Sequence, residues 1–187
     1  MSQHSGDPPS SDAPVSPRFP SSNDLPADTQ ELLRAGLEAA VPFFRHNDIR
    51  IREVGTRHGA AELPDAEHLK NHLGTQHGGA LFAVAEAAAG AAYIGAFLDH
   101  LQSVRMNAQE VHITYIRWAK GPITARSALT HDPATILAAL DEHTSTDLSM
   151  PCELYDAQDT LVARMIFRFQ LKRIPQSPDR TPASVRT

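Results

Sequence analysis

The sequence predicts a single α+β domain in which a curved antiparallel sheet wraps one long apolar helix. The helix is predicted from residues 78–98, which hold nine alanines and a single charged side chain, Glu86. A helix that is apolar on nearly every face is expected to be buried all round. The sheet is predicted from alternating apolar residues, which are clearest over 161–171. Strands of this kind have one apolar face, and the long helix is the element available to cover it.

The predicted domain opens with an additional N-terminal helix. Asp28 can cap this helix, and Glu31 three residues later completes a capping box. Pro42 should end it, because proline within a helix loses a hydrogen bond and clashes with the preceding turn. The apolar residues of this helix recur at helical spacing and are Leu32, Leu33, Leu37 and Ala40.

The remaining elements are predicted from the same patterns. Two short strands should precede the long helix, one over 49–52 and one over 57–63. Asp132 is placed to cap a short helix over 133–142. The last two strands should form an antiparallel hairpin around a turn at 156–159. The strands predicted after the long helix cover 111–116, 123–129, 148–154 and 161–171.

Composition limits the possible functions. The chain has 187 residues and a net charge of −5, and such an acidic balance is a poor match to nucleic-acid binding. The single cysteine, Cys152, permits no internal disulfide. Because the N-terminus shows no apolar signal segment, the expected location is a reducing cytoplasm.

The two ends of the chain differ from its middle. Residues 1–27 contain six prolines and seven serines, and residues 174–187 contain three more prolines. Because both ends have little apolar surface to bury, they are expected to be disordered tails. The folded domain is therefore predicted over residues 28–173.

The long helix also has the length of a membrane span, because its 21 residues reach about 30 Å at about 1.5 Å each. Alanine and glycine dominate it, however, and no tryptophan flanks it. The strands that follow have the alternation of a sheet with one wet face. A core helix is therefore predicted, and no membrane partner is expected.

The segment best suited to chemistry is the loop that enters the long helix at Gly78 and Gly79. Glycine lets another group approach the backbone closely, and the free N–H groups of a first helical turn favour negative charge. Those are the requirements of an oxyanion hole. Two turns later lies Glu86, whose pKa should be raised by burial and which could act as a general base or a nucleophile.

Each of these features also has a structural interpretation. A glycine pair is more often only a tight turn, and His77 by itself is more often a structural hydrogen-bonding residue than a base. Glu86 could be ion-paired, or could lie on a narrow wet stripe of the helix. No metal is predicted, because no zinc-binding spacing is found among His68, His72 and His77.

Together, the loop and the helix resemble the signature of the hotdog-fold acyl-CoA thioesterases of the PaaI type, and that of a neighbouring, largely uncharacterised hotdog family. In this signature an Asn is followed six residues later by His-Gly-Gly, and an acidic residue follows nine after the His. Asn71, His77 and Glu86 keep both spacings. Residues 111–121 resemble the next strand of these families. The resemblance covers about residues 30–173 and implies a hotdog fold.

The resemblance implies hydrolysis of an acyl-CoA thioester without a metal or cofactor. Glu86 would be the catalytic carboxylate, which activates water or attacks the thioester carbonyl itself. The Gly78 N–H would polarise the thioester oxygen, Asn71 would orient water or substrate, and His77 would shape the site. Two subunits would join their sheets into a homodimer, and two such dimers could pair again. Each site would combine Glu86 of one chain with the loop of the other. The further residues expected to contact substrate are His72 and Gly79.

Three features depart from the resemblance. The acid is Glu86, where many PaaI-type members have Asp. Ala108 stands where some relatives have a serine that can hydrogen-bond to water. The helix predicted over 133–142 is an insertion relative to short PaaI proteins, and it fits the uncharacterised neighbouring family better.

Two other functions stay open at this level. A hotdog protein can bind an acyl group or thioester without hydrolysing it, and Glu86 would then tolerate replacement by Gln. A hydratase or dehydratase also uses a His and an acid, but its hotdog signature spaces them differently and carries a proline in the loop. The phosphates of CoA would be met by basic residues, and the candidates by position are Arg105, Arg117 and Lys120.

Overall fold

In the computed structural model, residue 19 and residues 25–174 are described, and they form four α-helices and six strands. The predicted tails, 1–27 and 174–187, lie outside these residues except for residues 19, 25–27 and 174. The helices are α1 (Ala27–Ala40), α2 (Pro42–His46), α3 (Gly78–Ala96) and α4 (Pro133–His143). The strands are β1 (Arg50–Val54), β2 (His58–Leu63), β3 (Val104–Tyr115), β4 (Ile123–Ala128), β5 (Ser145–Tyr155) and β6 (Leu161–Arg173).

The six strands form one antiparallel sheet in the order β1-β2-β4-β5-β6-β3. The long helix α3 packs against β1, β2, β4 and β5. This is the predicted α+β hotdog architecture, with α1 as the additional N-terminal helix. The predicted hairpin of β5 and β6 is confirmed, and so is the cap of α4, where the Asp132 carboxylate accepts the Ala134 N–H at 2.9 Å.

The backbones of α3 and the sheet approach each other directly. A Cβ atom on Gly59 in β2 would lie 2.5 Å from the carbonyl oxygen of Ala88 and from the nitrogen of Ala92. A Cβ atom on Gly95 in α3 would lie 2.1 Å from the carbonyl oxygen of Gly55. Neither position has room for a side chain. The many alanines of α3 have the same cause, since larger side chains on the covered face would push the helix off the sheet.

One stripe of α3 remains partly exposed. It consists of residues at every fourth position, Phe82, Glu86, Gly90 and Ile94, and the residues between them are buried. The prediction that the helix is buried all round is therefore wrong along this stripe, because the sheet of one chain covers only part of the helix surface. Glu86 lies on the stripe, as one of the alternatives for it allowed.

By length and composition, α3 also qualifies as a membrane span, and it is the one such helix among the described residues, with a mean hydropathy of 1.4. In the structure, 67% of that segment is buried by the rest of the domain. The core helix of a water-soluble fold meets the same criteria, and the packing of α3 against four strands is that of a core helix.

The N-terminal helix differs from its prediction at its start. Helix α1 has Pro26 at the N-cap position, and no side chain caps it. The predicted capping box of Asp28 and Glu31 is therefore wrong. Asp28 already lies inside the first turn, where its charge still favours the helix dipole, and Glu31 pairs with Arg34.

The apolar face of α1 is narrower than predicted. Leu33 and Leu37 pack against the core, but Leu32 is 73% exposed and Ala40 is also exposed. Pro42 follows the end of α1, as predicted, and also occupies the first turn of α2. Proline is favoured there because the N–H that it lacks would have no helical partner.

The two edge strands of the sheet differ in whether another element covers them. Helix α1 covers the edge strand β1, and the Glu38 carboxylate accepts the Ile51 N–H at 2.8 Å. The other edge strand, β3, has 12 residues, and among the described residues it pairs on one side only, with β6. It begins at Val104 rather than near residue 111 as predicted, and its apolar residues Val111 and Ile113 are only half-buried. A long edge strand with unpaired backbone groups is a template for pairing with another chain.

Gly95→Ala should lower the free energy of unfolding, because the new Cβ atom would meet the Gly55 carbonyl oxygen and force α3 away from the sheet. We expect a loss of about 1–3 kcal/mol, the usual cost of overpacking, in urea denaturation followed by circular dichroism. The control is Gly36→Ala in α1, where a Cβ atom meets nothing within 4 Å. That change should stabilise the protein by up to about 1 kcal/mol. Equal effects of the two substitutions would contradict the close approach.

Candidate active site

Asn71 closes the loop that precedes α3. Its Oδ1 accepts the N–H groups of Leu73 at 2.9 Å and Thr75 at 3.3 Å, and its Nδ2 donates to Thr75 Oγ1 at 2.9 Å. Gly74, with a φ of 72°, makes the tight turn inside the loop. The Asn71 side chain therefore holds the loop in shape, and one of its amide hydrogens has no partner among the described residues.

Gln76 ties the same loop to the rest of the domain. Its Nε2 donates to the carbonyl oxygens of Pro64 at 2.9 Å and Gly121 at 2.8 Å, and its backbone N–H donates to Ala119 at 2.9 Å. The residue is 3% exposed. No role for Gln76 follows from the sequence, because the partners of its side chain lie 12 and 45 residues away.

His77 caps α3 and occupies most of the donors at its N-terminus. Its Nδ1 accepts the Gly79 N–H at 3.0 Å, and its carbonyl oxygen accepts the N–H groups of Ala80 at 2.9 Å and Leu81 at 3.0 Å. Among the described residues, the Gly78 N–H alone in this first turn has no acceptor. The helix thus presents one free donor at the positive end of its dipole.

This geometry distinguishes the loop residues predicted to act on substrate. His77 has the structural hydrogen-bonding role that was the alternative for it, and its ring is exposed. The Gly79 N–H is used by that ring, and His72 is exposed in the loop. Contact of His72 and Gly79 with a substrate therefore stays a prediction, whereas Gly78 keeps a donor available for a ligand.

Glu86 lies in the middle of α3, on the partly exposed stripe between Phe82 and Gly90. Within the described part of the chain its carboxylate makes no hydrogen bond or ion pair. Burial raises the pKa of Glu86 above its ordinary value of 4.5. An unpaired carboxylate with a raised pKa is suited to accept a proton during a reaction.

Glu86 and Gly78 lie about two turns apart on α3. Eight residues separate them, and eight residues of α-helix span about 12 Å. The N-terminal donor and the carboxylate of one chain are therefore well separated along the helix.

A cavity of about 260 Å³ opens beside Gly78. Leu73 and Tyr115 at this cavity are each 55% exposed, and Trp118 is 66% exposed. Apolar surface around a few polar groups is typical of a ligand site. The lining of the cavity includes Asn71, Leu73, Gly78, Tyr115, Arg117 and Trp118.

Only part of this lining was identified from the sequence. Arg117 was proposed for its charge, and its Nη1 donates to the Leu161 carbonyl oxygen at 3.0 Å. The other two basic candidates, Arg105 and Lys120, are exposed and lie outside the lining of this cavity. Tyr115 and Trp118 were not proposed as site residues. The signal that could have found them is a pair of aromatic residues at the end of a strand.

Two other kinds of site find no support in the described residues. No group of three or more His, Cys, Asp or Glu side chains among them is close enough to hold a metal ion. Cys152 is buried against α3, where its Sγ donates to the Ala85 carbonyl oxygen at 3.8 Å. Burial raises the pKa of the Cys152 thiol, so it is unsuited to act as a nucleophile.

The fold and the loop–helix arrangement define the class of the protein, which is the hotdog fold. A family profile described as a domain of unknown function, DUF4442, matches residues 29–171. The chain belongs to this family. A search of curated proteins finds no match.

Solved structures with the same fold include proteins described as thioesterases. PA5026 of Pseudomonas aeruginosa, described as a protein of unknown function and probable thioesterase, is 25% identical with a TM-score of 0.71, covering 81% of this chain and 99% of its own. Thioesterase HI1161 of Haemophilus influenzae is 14% identical with a TM-score of 0.63, covering 80% and 94%. The E. coli PaaI protein from the phenylacetic acid degradation operon is 16% identical with a TM-score of 0.58, covering 79% and 94%. These similarities confirm the hotdog fold.

Glu86→Gln should raise the melting temperature at neutral and alkaline pH. A carboxyl group whose pKa is raised by folding destabilises the native state while it is ionised, and this effect disappears as the pH falls below its pKa. The variant should therefore melt above the wild type near neutral pH. The two should converge as the pH falls to 4.5 and below, in thermal unfolding followed by circular dichroism.

The control for this measurement is Glu67→Gln, since the side chain of Glu67 is 94% exposed. Its melting temperature should differ little from that of the wild type across the pH range. A Glu86→Gln protein that melts below the wild type at neutral pH would show that Glu86 has a stabilising partner.

Proposed function

We propose that this protein is a thioesterase that hydrolyses acyl-CoA thioesters in a site shared between two copies of the chain. The proposal rests on the two reactive groups of α3, the Gly78 N–H and the Glu86 carboxylate, neither of which has a partner among the described residues. The first is a donor for a developing oxyanion, and the second is a base. Two proteins with the same fold are described as a probable thioesterase and a thioesterase, and this supports the same class of reaction.

In the proposed mechanism, the thioester carbonyl oxygen accepts the Gly78 N–H at the positive end of the α3 dipole. Glu86 of the second chain takes a proton from a water molecule as the water oxygen bonds to the carbonyl carbon. The carbon–sulfur bond then breaks, and the proton passes from Glu86 to the leaving thiolate. The products are a carboxylic acid and free CoA, and Glu86 regains its charge.

Sharing of the site between two copies is supported by the uncovered surfaces of the single chain. The stripe of α3 exposes Phe82 and Ile94 on either side of Glu86. The edge strand β3 offers unpaired backbone groups next to the half-buried Val111 and Ile113. Pairing of β3 with the β3 of a second chain would join the sheets and cover both surfaces. We therefore propose a homodimer, which could pair again into a dimer of dimers.

The carrier part of the substrate is argued from charge. CoA is anionic, and the chain itself has a net charge of −5, so binding needs local basic groups. Arg117 at the cavity beside Gly78 is the first candidate, and the exposed Arg105 and Lys120 are the others.

The proposed activity can be tested by measuring release of free thiol from acetyl-, medium-chain, long-chain and aryl-CoA. Glu86→Gln should lower kcat by about 100-fold or more, the size expected for loss of a general base. Glu67→Gln, on the exposed surface, should keep the rate of the wild type. If the wild type and both variants are equally inert on every substrate while remaining folded, hydrolysis is contradicted. Binding without hydrolysis would then replace it.

The shared site can be tested by mixing two inactive variants. Gly78→Pro removes the free N–H and displaces the Tyr115 hydroxyl group, which a Cβ atom at residue 78 would meet at 2.9 Å. The backbone accepts proline at this first helical position, because His77 before it is extended, with a φ of −67° and a ψ of 139°. Random pairing with Glu86→Gln chains makes half of the dimers mixed, and each mixed dimer has one intact site. About a quarter of the wild-type activity should therefore return. No recovery after co-refolding into dimers would mean that the site does not combine Gly78 and Glu86 of different chains.

A further inference from the structure

We propose that the hydroxyl group of Tyr115 is a second hydrogen-bond donor to the thioester carbonyl oxygen, beside the Gly78 N–H. The inference rests on the proposed function and adds a catalytic residue to it. Tyr115 is the last residue of β3 and lies outside the loop and helix that carry the signature. Gly78 and Tyr115 of one chain would supply the donors, and the other chain would supply the base.

Most backbone N–H groups in the first turn of α3 are already bonded within the protein and cannot serve a ligand. His77 occupies the N–H groups of Gly79, Ala80 and Leu81, so that Gly78 is left as the one free backbone donor in this turn among the described residues. Oxyanion holes combine backbone N–H groups with side-chain donors such as those of Asn, Ser and Tyr. A second donor has to come from a side chain on the cavity beside Gly78.

Tyr115 has the position that this role requires. Its hydroxyl oxygen lies 3.5 Å from the Gly78 carbonyl oxygen, at the outer limit of a hydrogen bond. The side chain is 55% exposed at the cavity. The hydroxyl group is thus held weakly by the protein and can donate to a ligand atom bound at the Gly78 N–H.

The other uncharged donors near the loop are bonded more firmly within the protein. Asn71 Nδ2 donates one hydrogen to Thr75 Oγ1 at 2.9 Å and keeps the second without a partner among the described residues, and both hydrogens of Gln76 Nε2 bond to backbone carbonyls. Trp118 lines the cavity and is 66% exposed, but the three atoms nearest to a Cβ atom on Gly78 all belong to Tyr115. Tyr115 is the side chain that combines a weakly held donor with contact to Gly78.

The same contact explains why residue 78 is glycine. Gly78 is not among the described glycines with positive φ, which are Gly74 and Gly121, so its backbone conformation is open to other residues. A Cβ atom at this position would lie 2.9 Å from the Tyr115 hydroxyl oxygen. The space that a side chain would need is occupied by the phenol. Gly78 and Tyr115 are therefore a coupled pair, in which one residue makes room for the hydroxyl group of the other.

A phenol suits the chemistry of this position. As the thioester carbonyl carbon is attacked, charge develops on its oxygen, and a hydrogen bond to that oxygen becomes charge-assisted and stronger. Tyr115 keeps its proton throughout, so the balance of the reaction is unchanged. Because the interaction strengthens in the transition state, its loss should lower kcat rather than raise KM.

The decisive variant is Tyr115→Phe, which removes one oxygen atom and keeps the ring. We expect kcat to fall by about 100-fold, with KM changed less than about threefold. The control is Tyr155→Phe, which removes a hydroxyl group that bonds to Glu153 in β5 and should leave kcat as in the wild type. Trp118 is the single tryptophan of the chain, so its fluorescence on titration with CoA measures binding separately from turnover.

A pair of further variants tests the coupling of the two residues. Gly78→Ala should displace the Tyr115 hydroxyl group and lower kcat. Adding Tyr115→Phe to it should cost nothing more, because the same hydrogen bond is already lost. Rate losses that multiply in the double variant would contradict this coupling.

The outcomes separate this inference from the function on which it rests. If the wild type hydrolyses a thioester and Tyr115→Phe keeps kcat within about twofold, Tyr115 is only a wall of the cavity. The inference is then overturned while the thioesterase function stands. If the wild type releases no thiol from any substrate although CoA changes the Trp118 fluorescence, the proposed function fails, and the role of Tyr115 fails with it.

Discussion

The close approach of the α3 backbone to the sheet is the constraint on which the rest of the structure depends. Gly59 and Gly95 remove the side chains that would separate the two backbones, and the alanines of the helix fill the remaining contact. Packed in this way, the helix cannot slide or rotate without steric overlap. Its N-terminus and Glu86 are therefore fixed relative to the sheet by one packing arrangement, and the stripe that the sheet leaves uncovered is determined at the same time.

The long helix and the final hairpin could be predicted because their periodicity reflects burial, on nearly every face for α3 and on alternate residues for β5 and β6. The exposed stripe of α3 could not be predicted in the same way. Phe82 and Ile94 are as apolar as the covered residues, and hydropathy does not tell which part of an apolar surface the same chain covers. The capping box failed for a local reason, since Pro26 is the N-cap of α1 and the helix begins two residues earlier than an N-cap at Asp28 requires.

Spacing identified the residues of the candidate site that are close in sequence, from Asn71 to Glu86, because one loop and one helix carry them. It did not identify Tyr115, which meets Gly78 across 37 residues of chain. Nor could it separate a capping histidine from a catalytic one, because either would stand directly before a helix. The hydrogen bonds of His77 show that it caps α3 and which donors of the first turn it occupies.

The eight-residue separation of Gly78 and Glu86 has a consequence for how activity responds to the amount of protein. A lone chain holds two half-sites and no complete one, if the site is shared as proposed. Complete sites then form by mass action, and below the dissociation constant of the pair their number grows with the square of the chain concentration. A cell that made half as much of this protein would retain about a quarter of its activity in that range, so that gene dosage itself would act as a steep control.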